Sequence, residues 1–276
     1  MNAWLRGLFA LALLLALAGA GCKDEESPVA TEDLTKPGAL GICSEPTRPP
    51  MEYRGRDGVL RGFEIDLLDE IARRVDLEPV WVDTRRSLLV DAVADGTCEV
   101  VASSLPVDFG DQKVIGEIAY LGVPISLLVR DGEEPPLARG LCGRPVGTFA
   151  GTRESRILAE YSEVCERNGR PSVDEVTVKD VPEALSRLEA GRIDGLLDEV
   201  PLIGWYSTLQ TDTFDDGGTL PAVKVDYAIG YPAGKDSIFW AIRGALQTMH
   251  DDGTFVEFLH RWGLDEKGVE GLALYS

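Results

Sequence analysis

The chain's 276 residues carry 47 acidic against 27 basic side chains, a formal net charge of −20, with 44% hydrophobic content. That apolar share is enough for a packed core, and the acidic surplus argues against nucleic acid and anionic lipid surfaces as partners. Beyond the first 21 residues no stretch approaches the ~20 apolar residues of a membrane span.

In chain order, residues 1–21 read as a secretory signal: Arg6, an apolar run from Leu8 to Ala18, then Gly19-Ala20-Gly21 ahead of Cys22. Cys22 is similar to the lipidated Cys of a bacterial lipobox, although Gly19 stands where Leu is usual; ordinary secretion with a stray Cys22 is the alternative. Residues 22–37, polar and acidic, are expected to be the lipidated Cys and a flexible tether.

The folded part starts with a strand, Ala39 to Ser44, a Pro-rich loop, Glu45 to Pro50, and a hairpin-like turn at Arg56-Asp57-Gly58. Gly62-Phe63-Glu64 leads into a helix with Ile65, Leu68, Ile71, Ala72 and Val75 on one face. A strand Pro79 to Val82, a helix Leu88 to Ala94 and a strand Glu99 to Ser103 make a βαβαβ lobe. The strand Pro124 to Arg130 leads to Asp131 to Pro136, charged and proline-bearing, which suits an interlobe hinge. A second lobe follows: strand Arg144 to Phe149, a helix from Thr152 to Arg167, strand Glu175 to Val178, helix Pro182 to Ala190, strand Ile193 to Leu197 and helix Leu202 to Thr208. Lys224 to Tyr231 crosses back, and helices Ser237 to His250 and Thr254 to Trp262, broken at Asp251-Asp252-Gly253, complete the first lobe. The expected division is 38–130 plus 228–266 for lobe 1, 131–227 for lobe 2 and 267–276 as a tail.

An internal echo supports two lobes. Ser87 to Ser104 (SLLVDAVADGTCEVVASS) matches Pro182 to Pro201 (PEALSRLEAGRIDGLLDEVP): a short amphipathic helix, a turn at Gly96 or Gly191, then an apolar strand opened by Glu99 or Asp194. Paired α/β lobes hold ligands in the cleft between them, where strand ends and helix N-termini converge.

Besides Cys22 there are four cysteines, an even count in a chain read as exported, without Cys-x-x-Cys spacing. Cys142 precedes a strand and Cys165 closes the helix that runs back, so this pair is expected to be bonded. Cys43 and Cys98 are either a second disulfide or two buried thiols. No nucleophile elbow, Walker loop, His-Glu-x-x-His or dinucleotide glycine pattern is present, so the expectation is a binder without cofactor or metal.

Pro49-Pro50-Met51-Glu52-Tyr53, Gly62-Phe63-Glu64-Ile65-Asp66-Leu67, Ala190-Gly191-Arg192-Ile193-Asp194, Asp198-Glu199-Val200 and Asp252-Gly253-Thr254-Phe255 through Trp262 stand in order between Ala39 and Leu264. Together they resemble the type II periplasmic solute-binding proteins of the polar amino acid family, which feed ABC importers. The resemblance implies an α/β fold of two lobes joined by two crossover strands, closing on a small polar solute, amino-acid-like or an organic anion. It implies a periplasmic or cell-envelope monomer whose partners are that solute, an importer permease and, through Cys22, the membrane.

By that resemblance the ligand site draws on Glu45, Arg48, Arg86, Ser103, Ser104, Asp108, Asp111, Gly151, Thr152 and Asp198. The family's carboxylate-clasping Arg falls at Asp111, which would repel a carboxylate, and aromatic positions of the family fall at Arg48 and Arg86. These two arginines either point into the cleft and relocate the anion site or lie solvated on the surface. Gly151-Thr152 matches an anion contact at a helix start, or is an ordinary N-cap; Asp198 matches the contact to a ligand ammonium, or is a solvated loop acid. Ser103 and Ser104 either donate hydroxyls to the ligand or end a strand. Two other readings remain: a sensor or accessory module of the kind encoded with quinoprotein dehydrogenases, which resembles this chain at Cys43 and Gly96-Thr97-Cys98-Glu99, and a carboxylate-based dehydratase.

Overall fold

A computed structural model describes residues 28–107, 109–110, 112–133, 140–210, 212–265 and 269–271. The expected signal, Cys22, Asp108, Asp111 and most of the tail lie outside the described residues.

Strand β1 (Ala39–Ser44) is followed by a small antiparallel sheet of β2 (Thr47–Arg48), β3 (Glu52–Arg54) and β4 (Leu60–Arg61). Helix α1 (Phe63–Arg74), β5 (Glu78–Asp83), α2 (Leu89–Ala94) and β6 (Val100–Pro106) complete the first set. Here β1 pairs in parallel with both β5 and β6. After β7 (Ile115–Arg130) come β8 (Pro145–Phe149), α3 (Arg153–Arg167), β9 (Asp174–Val178), α4 (Val181–Glu189), β10 (Gly195–Glu199) and α5 (Val200–Leu209). In this half β8 pairs in parallel with β9 and β10. The chain returns through β11 (Phe214–Pro232) to α6 (Asp236–Asp251), α7 (Thr254–Arg261) and β12 (Glu270–Gly271). The strand order is β5-β1-β6-β11-β7-β10-β8-β9, with β12 on β7.

The two long antiparallel strands are the crossovers. Ile125–Leu128 of β7 pairs with β10, and Tyr227–Gly230 of β11 with β6. The β7–β11 register shifts between Thr219 and Lys224, opposite Pro124 and Ser126. The crossing therefore lies inside these strands and not at Asp131 to Pro136 as the sequence suggested. Asp131 and Gly132 form a turn at the far end of β7, with Asp131 N–H bonded to Thr213 O, and residues 134–136 lie outside the described set.

The echo is real at the level of single bonds. Gly96 and Gly191 both take positive φ, 77° and 66°, the left-handed geometry that favours glycine after a helix. Glu99 N–H then donates to Gly41 O at 3.0 Å, and Asp194 N–H to Pro145 O at 2.7 Å, so each repeat enters its sheet beside the first strand of its lobe in the same way.

The Gly62-Phe63-Glu64-Ile65-Asp66 run ties lobe 1 together. A Cβ on Gly62 (φ 141°) would sit 2.1 Å from Met51 O, so only glycine lets α1 approach β3 this closely. Phe63 stacks on Tyr120 (ring centroids 6.4 Å) and meets the edge of Phe255 (5.8 Å). Asp66 accepts from Trp262 Nε1 at 2.9 Å, which fixes the C-terminal helices against α1. Both disulfides form: Cys43–Cys98 joins β1 to the start of β6, and Cys142–Cys165 joins the approach to β8 with the end of α3.

The tether reading fails for its last part. Val29 is buried, Ala30 N–H donates to Ser237 Oγ at 3.1 Å, and Asp33 accepts from Lys235 Nζ at 2.8 Å and from Ser237 Oγ at 2.5 Å. Residues 29–36 thus pack on lobe 1 because Val29 has an apolar place to fill and Asp33 a cation to meet.

Candidate functional site

The site forms where β2, the end of β10 and the start of α3 converge. Arg48 at the end of β2 reaches across to lobe 2, where its Nη2 donates to Glu199 Oε2 in an ion pair. Glu199 closes β10 and opens α5, whose Pro201 suits a helix start. Its neighbour Asp198 is buried: Oδ1 accepts from Glu199 N–H and Oδ2 from Tyr206 OH, both at 2.9 Å. Asp198 and Tyr206 meet because α5 folds straight back from β10, bringing its second turn over the strand end.

Burial, aided by the neighbouring Glu199 charge, pushes the Asp198 carboxyl up to about 7. Burial works to lower the Arg48 guanidinium, but the charges of Glu199, Tyr227, Asp198 and Glu52 outweigh it and hold it well above its usual value. Burial and then Glu199 raise Glu154 in the first turn of α3. The bridge is therefore a cation from lobe 1 set among acids of lobe 2.

Two cavities flank it. The first, about 670 Å³, has apolar walls from Phe149, Leu202, Trp205 and Tyr206, with Asp198 and Arg48 at its polar end. The second, about 650 Å³, is lined by Arg86, Gly151, Thr152, Arg153, Glu154 and Arg156 beside the Arg48–Glu199 bridge. Both volumes suit a small solute. Across the cleft, Tyr53 of lobe 1 also contacts Trp205 of lobe 2, with ring centroids 5.5 Å apart.

The expected residues divide. Arg48, Arg86, Gly151, Thr152 and Asp198 are brought to the cavities. Arg86 is exposed, and its guanidinium donates to Ser103 O at 2.7 Å and Ser104 O at 3.4 Å, so it caps the end of β6 as well as lining the cleft. Thr152 is the N-cap of α3: its Oγ1 accepts from Ser155 N–H at 3.4 Å and donates to Phe149 O at 2.9 Å. Glu45 meets Ser103 through its backbone and lines neither cavity.

Ser103 and Ser104 are buried and line neither cavity. Ser104 Oγ donates to Glu52 Oε2 at 2.7 Å, and its N–H donates to both Glu64 oxygens at 2.9 and 3.1 Å, from a left-handed backbone at φ 47°. Tyr120 OH also donates to Glu64. Burial first, then the Glu64 charge, pushes Glu52 well above the carboxylate range, and the two glutamates hold the β6 tip through Ser104.

Sequence reasoning missed Glu154, Tyr206 and Trp205, and considered Glu199 only as an acid of the dehydratase reading. An acidic chain offers many candidate carboxylates; the available signal was position, since Glu154 follows the Thr152 cap by two residues and Glu199 follows Asp198.

The profile described as "Bacterial extracellular solute-binding proteins, family 3" matches residues 40–265. The chain belongs to this family. It is 26% identical over 262 residues to the L-cystine-binding protein TcyJ of Escherichia coli, covering 94% of each chain. It is 24% identical over 237 residues to the arginine-binding protein ArgT of Corynebacterium glutamicum, covering 85% of this chain and 77% of that one. Among solved structures, the probable amino-acid ABC transporter extracellular-binding protein ytmK of Bacillus subtilis superposes with a TM-score of 0.73 at 19% identity, covering 82% of this chain and 98% of that one. The fold is thus the two-lobe solute-binding architecture, and the family is one of binding proteins acting outside the cytoplasm. These matches do not favour the accessory-module or dehydratase readings. No helix among the described residues is long and apolar enough to cross a membrane.

Proposed function

We infer that the protein is an extracytoplasmic receptor that encloses one small polar solute, amino-acid-like or an organic anion, by hinge closure and delivers it to the permease of an ABC importer. The observation that carries this is the cleft itself: Arg48 from one lobe meets Glu199 and Asp198 of the other between two solute-sized cavities. The arginine- and cystine-binding relatives support an amino-acid-like solute. Arg48, Arg86, Gly151, Thr152 and Asp198, joined by Glu154 and Glu199, are the residues we assign to the solute. The lobes rock about Pro124–Ser126 and Thr219–Lys224, where both crossover strands change partners. The protein acts as a monomer without catalysis, held to the membrane by a lipid on Cys22.

Thermal melting against amino acids, amines, small carboxylates and sulfonates tests this. A solute at a hundred times its Kd adds ~2.7 kcal/mol, or about 5–10 °C for a protein of this size. A folded protein that shifts with no compound in the panel would overturn the receptor reading.

A further inference from the structure

The second cavity carries the opposite charge from the rest of the molecule. The whole chain is at −20, yet this cavity is lined by four arginines, Arg48, Arg86, Arg153 and Arg156, against two glutamates, Glu154 and Glu199. Arg48 is already committed to Glu199. Arg153 and Arg156 lie in the first turn of the 15-residue helix α3, where a cation opposes the helix dipole, so helix stability does not account for them. Neither makes an ion pair with a described residue. Arg86 spends two N–H groups on backbone carbonyls and keeps others for the cavity.

The glutamate between these arginines is unusual in a second way. Glu154 is only 6% exposed and its Oε1 is buried with no hydrogen-bond partner. The Thr152 side chain and the Glu154 N–H also act on this carboxyl, which leaves one buried oxygen for a donor from outside the chain. The place for a further cation at Glu199 is already taken, because Arg48 is paired there. A solute placing a cationic side chain on Glu199 would have to displace Arg48 and leave it partnerless.

We propose that the cleft selects a solute with one ammonium and two acid groups, an acidic amino acid in its chemistry. Glu154 accepts from the ammonium, while Arg86, Arg153 and Arg156 hold the acid groups. Arg48, fixed on Glu199, fills the position a cationic side chain would need and excludes it. This deepens, and rests on, the receptor reading.

Isothermal titration of the purified protein with L-aspartate, L-glutamate and L-cysteate, against L-asparagine, L-glutamine and L-arginine, tests it. The best acidic probe is expected to bind at least about tenfold tighter than any of the other three. Arg156→Gln, at an exposed position, is expected to weaken the acidic probe about tenfold while leaving the unliganded melting temperature unchanged. Arg48→Ala is expected to narrow the gap between the acidic probe and L-arginine. Binding of an amide or L-arginine as tight as the best acid would overturn this inference and leave the receptor standing. No binding of any of the six by folded protein, with a melting shift from another compound of the panel, would overturn this inference alone; no shift from any compound would remove both.

Discussion

Asp198→Asn should change the pH dependence of stability in a defined way. Asp198 is 4% exposed and its carboxyl is pushed up to about 7, against about 3.9 in the unfolded chain. Between pH 4 and pH 7 the folded protein therefore holds a proton at Asp198 that the unfolded chain has lost. The sign follows: this group's contribution is fully present below pH 4 and is lost as pH rises through 7. Three pH units at about 1.4 kcal/mol each set an upper limit near 4 kcal/mol, and coupling to Glu199 makes roughly 2–4 kcal/mol the working figure. Asparagine resembles the protonated acid, with its carbonyl able to accept from Glu199 N–H and its amide able to donate to Tyr206. Urea melts of both proteins at pH 4, 5, 6, 7 and 8 give the difference in stability, in which other titrating groups cancel. The variant should gain on the parent by roughly 2–4 kcal/mol from pH 4 to pH 8. A difference that stays flat across this range would refute the buried-acid description of the cleft.

Replacing Cys142 and Cys165 by serine opens a loop of sequence separation 23 and should cost about 3 kcal/mol in a denaturant melt. Gly62→Ala drives a Cβ to 2.1 Å from Met51 O at a positive φ and should cost about 3 kcal/mol or more, read as a lowered urea midpoint. Deleting the residues before Gly38 removes the buried Val29 and the Asp33 contacts with Lys235 and Ser237, and should lower stability by roughly 2 kcal/mol. An unchanged melting temperature on that deletion would show that the segment is a passive tether.

What could be read from the residues was whatever repeats locally. The helix, glycine turn and acid-opened strand around Gly96 and Gly191 reappear as matching bonds, Glu99 N–H to Gly41 O and Asp194 N–H to Pro145 O. The full length of the crossovers was not legible: β7 spans 16 residues and starts at Ile115, well before Pro124, and β11 runs 19 residues through register shifts. Their lengths are set by partners on both lobes, which no local period encodes. Arg48 was legible as a candidate, but its orientation depends on Glu199, 151 positions away. The inward orientation of Ser103 and Ser104 was not legible for the same reason, since their partners Glu52 and Glu64 come from a different part of the fold.

Isothermal titration with the solute that most raises the melting temperature, on the parent and on Glu154→Gln, tests the receptor reading most directly. One solute per chain, with affinity reduced at least about tenfold in the variant, is the predicted result. Binding at another stoichiometry, or binding indifferent to Glu154, Arg86, Arg156 and Asp198 together, would put the solute outside the cleft and contradict it.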